Sequence, residues 1–442
     1  MKFKNFNKTF FSNFDFIIFL TSLLLIIIGL AFIYSGTYNY RQLEDRFFKQ
    51  FIFFFIGVLT GIPLLIFHYK KITEYSLFFY LILLILLIFT LLFGKRINGS
   101  KSWFSIFGFG IQVSEFGKLI MIIFFAKYIS LYEKDLRYKS SIQFFLLLFG
   151  FLLFPMFLIL IQPDFGTIII YYSIFIFMGI FSNLNFNLII SFILIPTIGF
   201  FFPLFRSYLT ITKTISPINN IIFSNTYFII ISAILLAISL VFLFISLNLK
   251  SKFFLFIFFI FLSLSLSLYL GIFLDKFLKN YQKARLIVFV NPELDKLGAG
   301  YNIIQSKIAI GSGGLFGKGF LKGTQSQFGF LPERSTDFIF SLIGEETGFI
   351  GTFIILLLYS IFLLRLLYLA FSVKDYLCKL IIMGIFAYFF SQSILNIGMT
   401  IGLMPITGVP LPFISYGGSS IIASIYSVYL ILNIYMRKYS IE

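Results

Sequence analysis

The sequence predicts an all-α polytopic integral membrane protein of about twelve transmembrane helices with one large extracytoplasmic loop, and three observations carry that prediction. Of its 442 residues, 60% are hydrophobic and only 12% charged, where soluble domains average about half apolar and a quarter charged. Its apolar residues fall into runs of about 18 to 23, long enough to cross a hydrocarbon core of about 30 Å as helix. Its 68 phenylalanines exceed what one water-solvated core could bury beneath so little polar surface.

The runs lie at 16–36, 51–68, 75–93, 115–132, 144–162, 165–182, 186–205, 227–248, 252–274, 338–368, 380–402 and 419–436. The one beginning at 338 is long enough to tilt or to protrude. Lys2, Lys4 and Lys8 precede the first run and no small-residue cleavage site follows it, so it reads as an uncleaved helix. With that basic end inside, the inner segments collect Lys2, Lys4, Lys8, Lys70, Lys71, Lys134, Arg137, Lys139, Lys250, Lys252, Arg365, Lys374, Lys379, Arg437 and Lys438. The short outer loops hold only Arg41, Arg46, Lys49, Lys95, Arg96, Lys101, Arg206 and Lys213. The asymmetry places both termini in the cytoplasm.

The segment 275–336 is the least membrane-like part of the chain. It carries nine basic residues against Asp275, Glu293, Asp295 and Glu333, a surplus that the positive-inside rule does not explain for an outer loop. An anionic headgroup at the outer leaflet explains it; a solvated face against anionic lipid is the alternative. The overall charge of +17 is therefore read as topology and lipid contact, with no nucleic-acid partner. A single cysteine, Cys378, excludes a disulfide scaffold, and a single histidine, His68, argues against a histidine metal site or a Ser-His-Asp enzyme.

Several groups carry candidate chemistry. Residues 291–295, Asn-Pro-Glu-Leu-Asp, put two carboxylates ahead of a run with Gly298, Gly300, Gly311, Gly313, Gly314, Gly317, Gly319 and Gly323. A carboxylate near a lipid surface suits a general base, and glycine backbone lets amides approach an anion; an ordinary turn is the other reading. No Walker A pattern is present. Glu333, Arg334 and Asp337 stand at the entry to a span, as a helix cap or as substrate contacts. Glu115 and Lys118, three apart, are either a local ion pair or the polar lining of a groove. Asp164 sits in a short turn as a cap or a contact. Glu345 and Glu346 lie within a span, where at least one must face water or protein. Residues 405–420, with three prolines and three glycines, cannot be lipid-exposed and must pack on protein or line a cavity.

Together these motifs resemble the SEDS (shape, elongation, division, sporulation) family of peptidoglycan glycosyltransferases. The resemblance rests on Asp295-Lys-Leu-Gly-Ala-Gly-Tyr-Asn-Ile-Ile-Gln-Ser-Lys307 and the glycines after it, on 330–340, on Gln-Val-Ser-Glu-Phe-Gly-Lys at 112–118, on Gln-Pro-Asp-Phe-Gly-Thr at 162–167 and on 405–420. The run 323–327 before Phe-Leu-Pro-Glu-Arg is closer to the elongation type than to the division type. The resemblance implies that Asp295 is catalytic and takes the proton of the acceptor lipid II sugar. It implies substrate-binding positions at Glu115, Lys118, Trp103, Asp164, Gln305, Ser306, Lys307, Glu333, Thr336, Asp337, Ser415, Gly417 and Gly418. It implies a class B penicillin-binding protein as partner, with other elongation-complex membrane proteins, in the bacterial inner membrane. No cofactor is certain; a divalent cation, Mg²⁺ or Mn²⁺, fits beside a pyrophosphate. Lys296 and Val113 replace prolines of the family pattern, and Ser102 replaces an arginine before Trp103, for which Lys101 is a candidate substitute. The family has ten spans, so 206–274 reads as an inserted helical pair, and 275–336 as the catalytic loop. A lipid II flippase or other transporter, a division-type polymerase and a noncatalytic scaffold are the rivals. Reactive groups concentrated in an extramembrane loop, not at the midplane where transporter sites lie, favour the enzyme.

Overall fold

A computed structural model describes residues 14–39, 43, 45–97, 100–106, 109–134, 141–182, 184–212, 225–277, 288–289, 291–295 and 298–437. Among them twelve long helices coincide with the twelve apolar runs: α1 Phe16–Thr37, α2 Asp45–Ile66, α4 Ser76–Phe93, α5 Val113–Lys134, α6 Ser141–Ile161, α7 Phe165–Ile180, α8 Phe186–Thr212, α9 Asn225–Leu249, α10 Lys252–Phe277, α13 Ile339–Ser372, α14 Tyr376–Ile401 and α15 Gly418–Met436. Shorter helices are α3 Tyr69–Glu74, α11 Ala299–Ser312 and α12 Thr324–Gln327. Ten of the helices are long and apolar enough to cross a membrane. The two others are α7, with 16 residues, and α5, which carries Glu115, Lys118, Lys127, Glu133 and Lys134. The chain is a multi-pass α-helical membrane protein.

One element escaped the sequence reading. Between α4 and α5 runs a three-stranded antiparallel meander, β1 Lys95–Ile97, β2 Ser100–Ile106 and β3 Phe109–Gln112. Its strands are too short and too polar to register in a search for apolar spans. Trp103 stands in register opposite Lys95 and Gln112. The Lys101 ammonium donates to the Leu92 carbonyl at 3.0 Å, in the last turn of α4.

The chain divides into two compact units, Met1–Ser182 with Gln305–Glu442, and Asn183–Ile304. In the first, α14 and α15 form the centre, each with 83% of its span buried. Helices without a water-driven hydrophobic force associate by close backbone approach at small residues. Gly57 and Gly61 of α2 accordingly face Ile422, Ile425, Tyr426 and Tyr429 of α15, and Gly384 of α14 faces Ile122 and Met178. The second unit is built on α8, α9 and α10, which pack on one another. On α9, Ser232, Ser239 and Ser246 recur every seven residues on the buried side, and the Ser265 hydroxyl donates to the Ser232 carbonyl at 2.8 Å. Arg206 pairs with Asp275 at 2.8 Å. The segment 206–274 thus holds the end of α8, all of α9 and most of α10. Of the loop 275–336, residues 278–287, 290 and 296–297 lie outside the described residues.

Segments that charge counting assigned to one side of the membrane meet at one end of the first unit. Arg46 bonds Ser335, Gln112 bonds Asp164 and Ser419, and Ser415 bonds the Thr336 carbonyl. Segments assigned to the other side also meet: Tyr69 and Lys70 with Asp375, Arg365 with Asp15, and Arg437 with the Leu65 and Ile66 carbonyls. His68, which caps α3 by accepting from the Lys70 amide, belongs to that second group. Burial, ahead of repulsion from Arg437, lowers its pKa. Cys378 lies inside α14 and is buried.

α13 departs from a simple span. At about 1.5 Å per residue its 34 residues exceed what a bilayer core needs, and the helix is broken at Gly348 (φ 65°, ψ −160°).

Close packing gives the first prediction. A Cβ on Gly29 would stand 2.6 Å from the Ile414 Cα and 2.7 Å from two backbone carbonyls. Gly29→Val should lower the melting temperature of the detergent-purified protein by several degrees, equivalent to about 1–3 kcal/mol of overpacking.

Candidate functional site

The site is built from short segments that the helices bring to one end of the first unit. The turn between α12 and α13 contributes most. Glu333 adopts φ 48°, a left-handed conformation that costs a non-glycine residue about 1–3 kcal/mol and tends to mark functional positions. It is held there because its carbonyl accepts from the Thr336 and Phe338 amides at 3.1 and 3.2 Å and its carboxylate accepts from the Thr336 hydroxyl at 3.0 Å. Arg46, in the first turn of α2, reaches the Glu333 carboxylate at 3.5 Å and donates to the Ser335 hydroxyl at 2.8 Å. Its guanidinium lies 5.6 Å from the Tyr416 ring centroid. Burial pushes the Tyr416 phenol above its ordinary pKa, with Arg46 opposing, so the ring stays neutral beside the cation. A cleft of about 300 Å³ opens here, lined by Leu43, Arg46, Phe328, Pro332, Glu333 and Ser335 among others.

The segment 405–420 packs on protein, as its composition demands. Ser415 is fully engaged: its hydroxyl donates to the Thr336 carbonyl at 2.6 Å and accepts from the Leu411 amide at 2.8 Å. The Tyr416 amide donates to the Ser335 carbonyl at 2.8 Å, and the Gly417 amide to Gln50 Oε1 at 3.0 Å. Gly418 is a packing glycine, since a Cβ there would fall 2.4 Å from the Phe53 ring. These residues brace the turn that holds Glu333.

Asp164 caps α7 by accepting from the Thr167 amide at 3.2 Å, and it also accepts from Gln112 Nε2 at 2.7 Å. That bond ties the cap to β3 and to the start of α5. One turn into α5, Lys118 and Glu115 form an ion pair at 2.6 Å with at most 3% side-chain exposure. Lys118 also donates to Gln392 Oε1 at 2.9 Å and faces the Tyr388 ring at 5.1 Å; Gln392 in turn donates to the Pro410 carbonyl at 2.8 Å. Asn396, one turn along α14, donates to the Asp337 and Val409 carbonyls. Around this strip Ser114 Oγ, Glu115 Oε2, Ser393 Oγ and Asn396 Oδ1 are buried with no hydrogen-bond partner among the described residues. Buried polar atoms in that state call for water or for a polar ligand.

Asp337 does not cap α13, whose N-cap is Phe338 with no side-chain cap bond. Ser306 is buried and bonded to the Ser341 hydroxyl and the Thr400 carbonyl, which makes it a strut for α11. Lys307 is exposed, and Gln305 has its Oε1 buried without a partner among the described residues. Asp295 ends a 3₁₀ turn, Pro292–Asp295; its side chain lies outside the described residues. Among the described residues no group of three or more His, Cys, Asp or Glu is arranged to hold a metal ion, and Glu333 is engaged by Arg46 and Thr336. Sequence reasoning missed Arg46, Gln50, Gln392 and Asn396. Gln392 and Asn396 carried a signal, as amides inside an apolar run; Arg46 was submerged in the charge count.

The architecture defines a class: a polytopic helical membrane protein with a polar, partly buried site at one end of its bundle. The model of the FtsW/RodA/SpoVE cell cycle protein family matches residues 15–234 and 230–440, and the chain belongs to that family. It is similar to peptidoglycan glycosyltransferase RodA of Treponema pallidum (strain Nichols), 36% identical over 436 residues, 97% of this chain and 98% of that protein. It is also similar to stage V sporulation protein E of Bacillus subtilis (strain 168), 31% identical over 427 residues, 95% of this chain and 96% of that protein. A chain of a solved peptidoglycan synthase complex, in which polymerization and crosslinking are coordinated, shares the fold with TM-score 0.66 at 23% identity, covering 96% of this chain and 98% of its own.

The buried pair yields a double-mutant prediction. Lys118→Met should cost about 3–5 kcal/mol by stranding Glu115, whereas Glu115→Leu combined with Lys118→Met should recover most of that loss. Thermal unfolding of the three variants in one detergent measures the difference.

Proposed function

We propose that the chain polymerises lipid II into glycan strands during cell elongation. The observation that carries this reading is a cleft at one end of the bundle lined by Arg46 and Glu333, which Thr336 and Tyr416 support through contacts to Glu333 and Arg46, in a chain matched over nearly its whole length by a peptidoglycan glycosyltransferase. Greater identity to RodA than to the sporulation protein favours the elongation role.

The chemistry follows from the groups. The Asp295 carboxylate accepts the proton of the acceptor's sugar 4-hydroxyl as that oxygen attacks the anomeric carbon of the growing chain. The new C–O bond replaces the bond to undecaprenyl pyrophosphate, which leaves with its electron pair. Arg46, which lines the cleft, offsets the charge that develops on the pyrophosphate, and Lys118 holds the polar strip around Glu115 and Gln392. Arg46, only partly buried and 3.5 Å from the Glu333 carboxylate, keeps part of its guanidinium open to an incoming anion while it holds the buried Ser335 hydroxyl. Trp103, Asp164, Gln305, Lys307, Asp337 and Gly417 complete the candidate substrate surface, with Ser306, Ser415 and Gly418 supporting it from beneath. The cleft end faces outward in the inner membrane and both termini are cytoplasmic. A class B penicillin-binding protein supplies the crosslinking, as the polymerization and crosslinking complex that shares this fold suggests. The helices α9 and α10 are read as an addition to a ten-helix core.

A transporter reading draws on the partnerless polar atoms around Glu115. Both readings are tested on the full chain, purified with its penicillin-binding partner and supplied with lipid II. Asp295→Ala should reduce strand synthesis about 10²–10⁴-fold with an unchanged melting temperature. Undiminished synthesis contradicts the catalytic assignment, and lipid translocation without polymerisation by the wild type favours the transporter.

A further inference from the structure

The break in α13 at Gly348 is filled by the glycine-rich segment. In an unbroken helix the Phe349 amide would bond the Glu345 carbonyl and the Ile350 amide the Glu346 carbonyl. Here the Phe349 and Ile350 amides donate instead to the Gly314 and Leu315 carbonyls at 2.8 and 3.2 Å, while the Glu345 and Glu346 carbonyls accept from the Lys318 and Gly319 amides at 3.0 and 2.9 Å. Two helical rungs are replaced by four bonds to the loop, so no backbone group at the break is stranded in an apolar medium. The glycines are required by contact: a Cβ on Gly317 would lie 2.2 Å from the Glu346 carbonyl oxygen, and one on Gly348 would lie 2.3 Å from the Gly317 nitrogen.

The Glu345 side chain adds a second attachment. Fully buried, it accepts from Lys318 Nζ at 2.8 Å, the Thr324 hydroxyl at 3.1 Å, the Gln325 amide at 2.8 Å, and the Ser326 amide and hydroxyl at 3.0 and 2.9 Å. It thus caps the first turn of α12 from a different helix. α12 leads directly into the cleft wall: the Leu331 amide bonds the Gln325 carbonyl at 3.1 Å, and Leu331 packs on Ala309 and Phe338. Gln327 extends the contact to the Ser35 carbonyl at 3.1 Å. Lys318 Nζ also donates to the Thr324 hydroxyl at 2.7 Å and Glu346 Oε1 accepts from Gln327 Nε2 at 3.3 Å, but Glu345 alone of the three takes up backbone amides of α12.

We infer that Glu345 is a positioning residue for substrate binding: through α12 it fixes the turn 328–337 that presents Glu333 to the cleft, without itself touching substrate. The inference rests on the polymerase reading for its kinetic consequence but not for its structural one. Replacing the carboxylate by an amide puts an N–H₂ where donors converge, and so loosens the turn while leaving the side-chain volume unchanged.

Hydrogen–deuterium exchange and lipid II kinetics on the full chain test it together. In Glu345→Gln the amides of residues 318–327 should exchange at least tenfold faster while α14 and α15 keep their protection. KM for lipid II should rise fivefold or more, with kcat within threefold. Glu345→Asp should recover part of both effects. If Glu345→Gln does not fold, Thr324→Val combined with Ser326→Ala removes two donors and should move exchange and KM the same way by less. Unchanged protection of 318–327, or a fall in kcat with KM constant, overturns the inference. A wild type that makes no glycan strands refutes the polymerase reading alone, because the exchange result stands without it.

Discussion

A polar group carried into hydrocarbon must find its partner within the protein, and that constraint organises this molecule. Each unsatisfied backbone group there costs several kcal/mol, more than most packing contacts return. Ten helices are long and apolar enough to span, and regular helix meets the requirement internally. The exceptions reveal the construction. α13 is interrupted at Gly348, and the interruption survives only because residues 314–319 supply replacement bonds. The proline-rich segment 405–420 survives because Gln50, Gln392, Asn396 and Ser415 take up its amides and carbonyls.

The same rule explains why the polar residues form connected sets. Lys118 alone would be prohibitive to bury, so it is matched by Glu115 and Gln392. Gln392 and Asn396 then tether the Pro410 and Val409 carbonyls of the segment that supports the turn bearing Glu333. A buried ion pair is weak evidence for stability, since its desolvation offsets most of its attraction. Its presence here is better accounted for by what it holds: α5 against α14, with partnerless polar atoms left over for water or a polar ligand.

Much of this was legible in the sequence because hydropathy is a one-dimensional signal. Every long helix matched an apolar run, and charge bias sorted the loops into two groups that do assemble at opposite ends. Asp164 as a cap and Glu345 as a group facing protein were also readable, since both follow from local cost. The meander at 95–112 was not, because its strands are stabilised by one another and leave no span-length pattern. Nor was Arg46 as a site residue, whose role depends on Glu333, 287 positions away along the chain. Asp337 misled for a related reason: an Asp before a helix reads as a cap, yet the start of α13 is held by the Glu333 carbonyl, which accepts from the Phe338 amide. Tertiary pairing of loops is what a single sequence conceals.

The proposed function requires a lipid-linked pyrophosphate to be held at the end of the bundle where α2, α5, α13 and α15 converge. Photo-crosslinking with a lipid II analogue carrying a diazirine next to the pyrophosphate measures this directly. The account predicts labelled peptides from residues 43–50, 112–118, 328–337 and 411–418, suppressed by excess unlabelled lipid II. Labelling confined to the opposite end, around Lys70, Asp375 and Arg437, would contradict it.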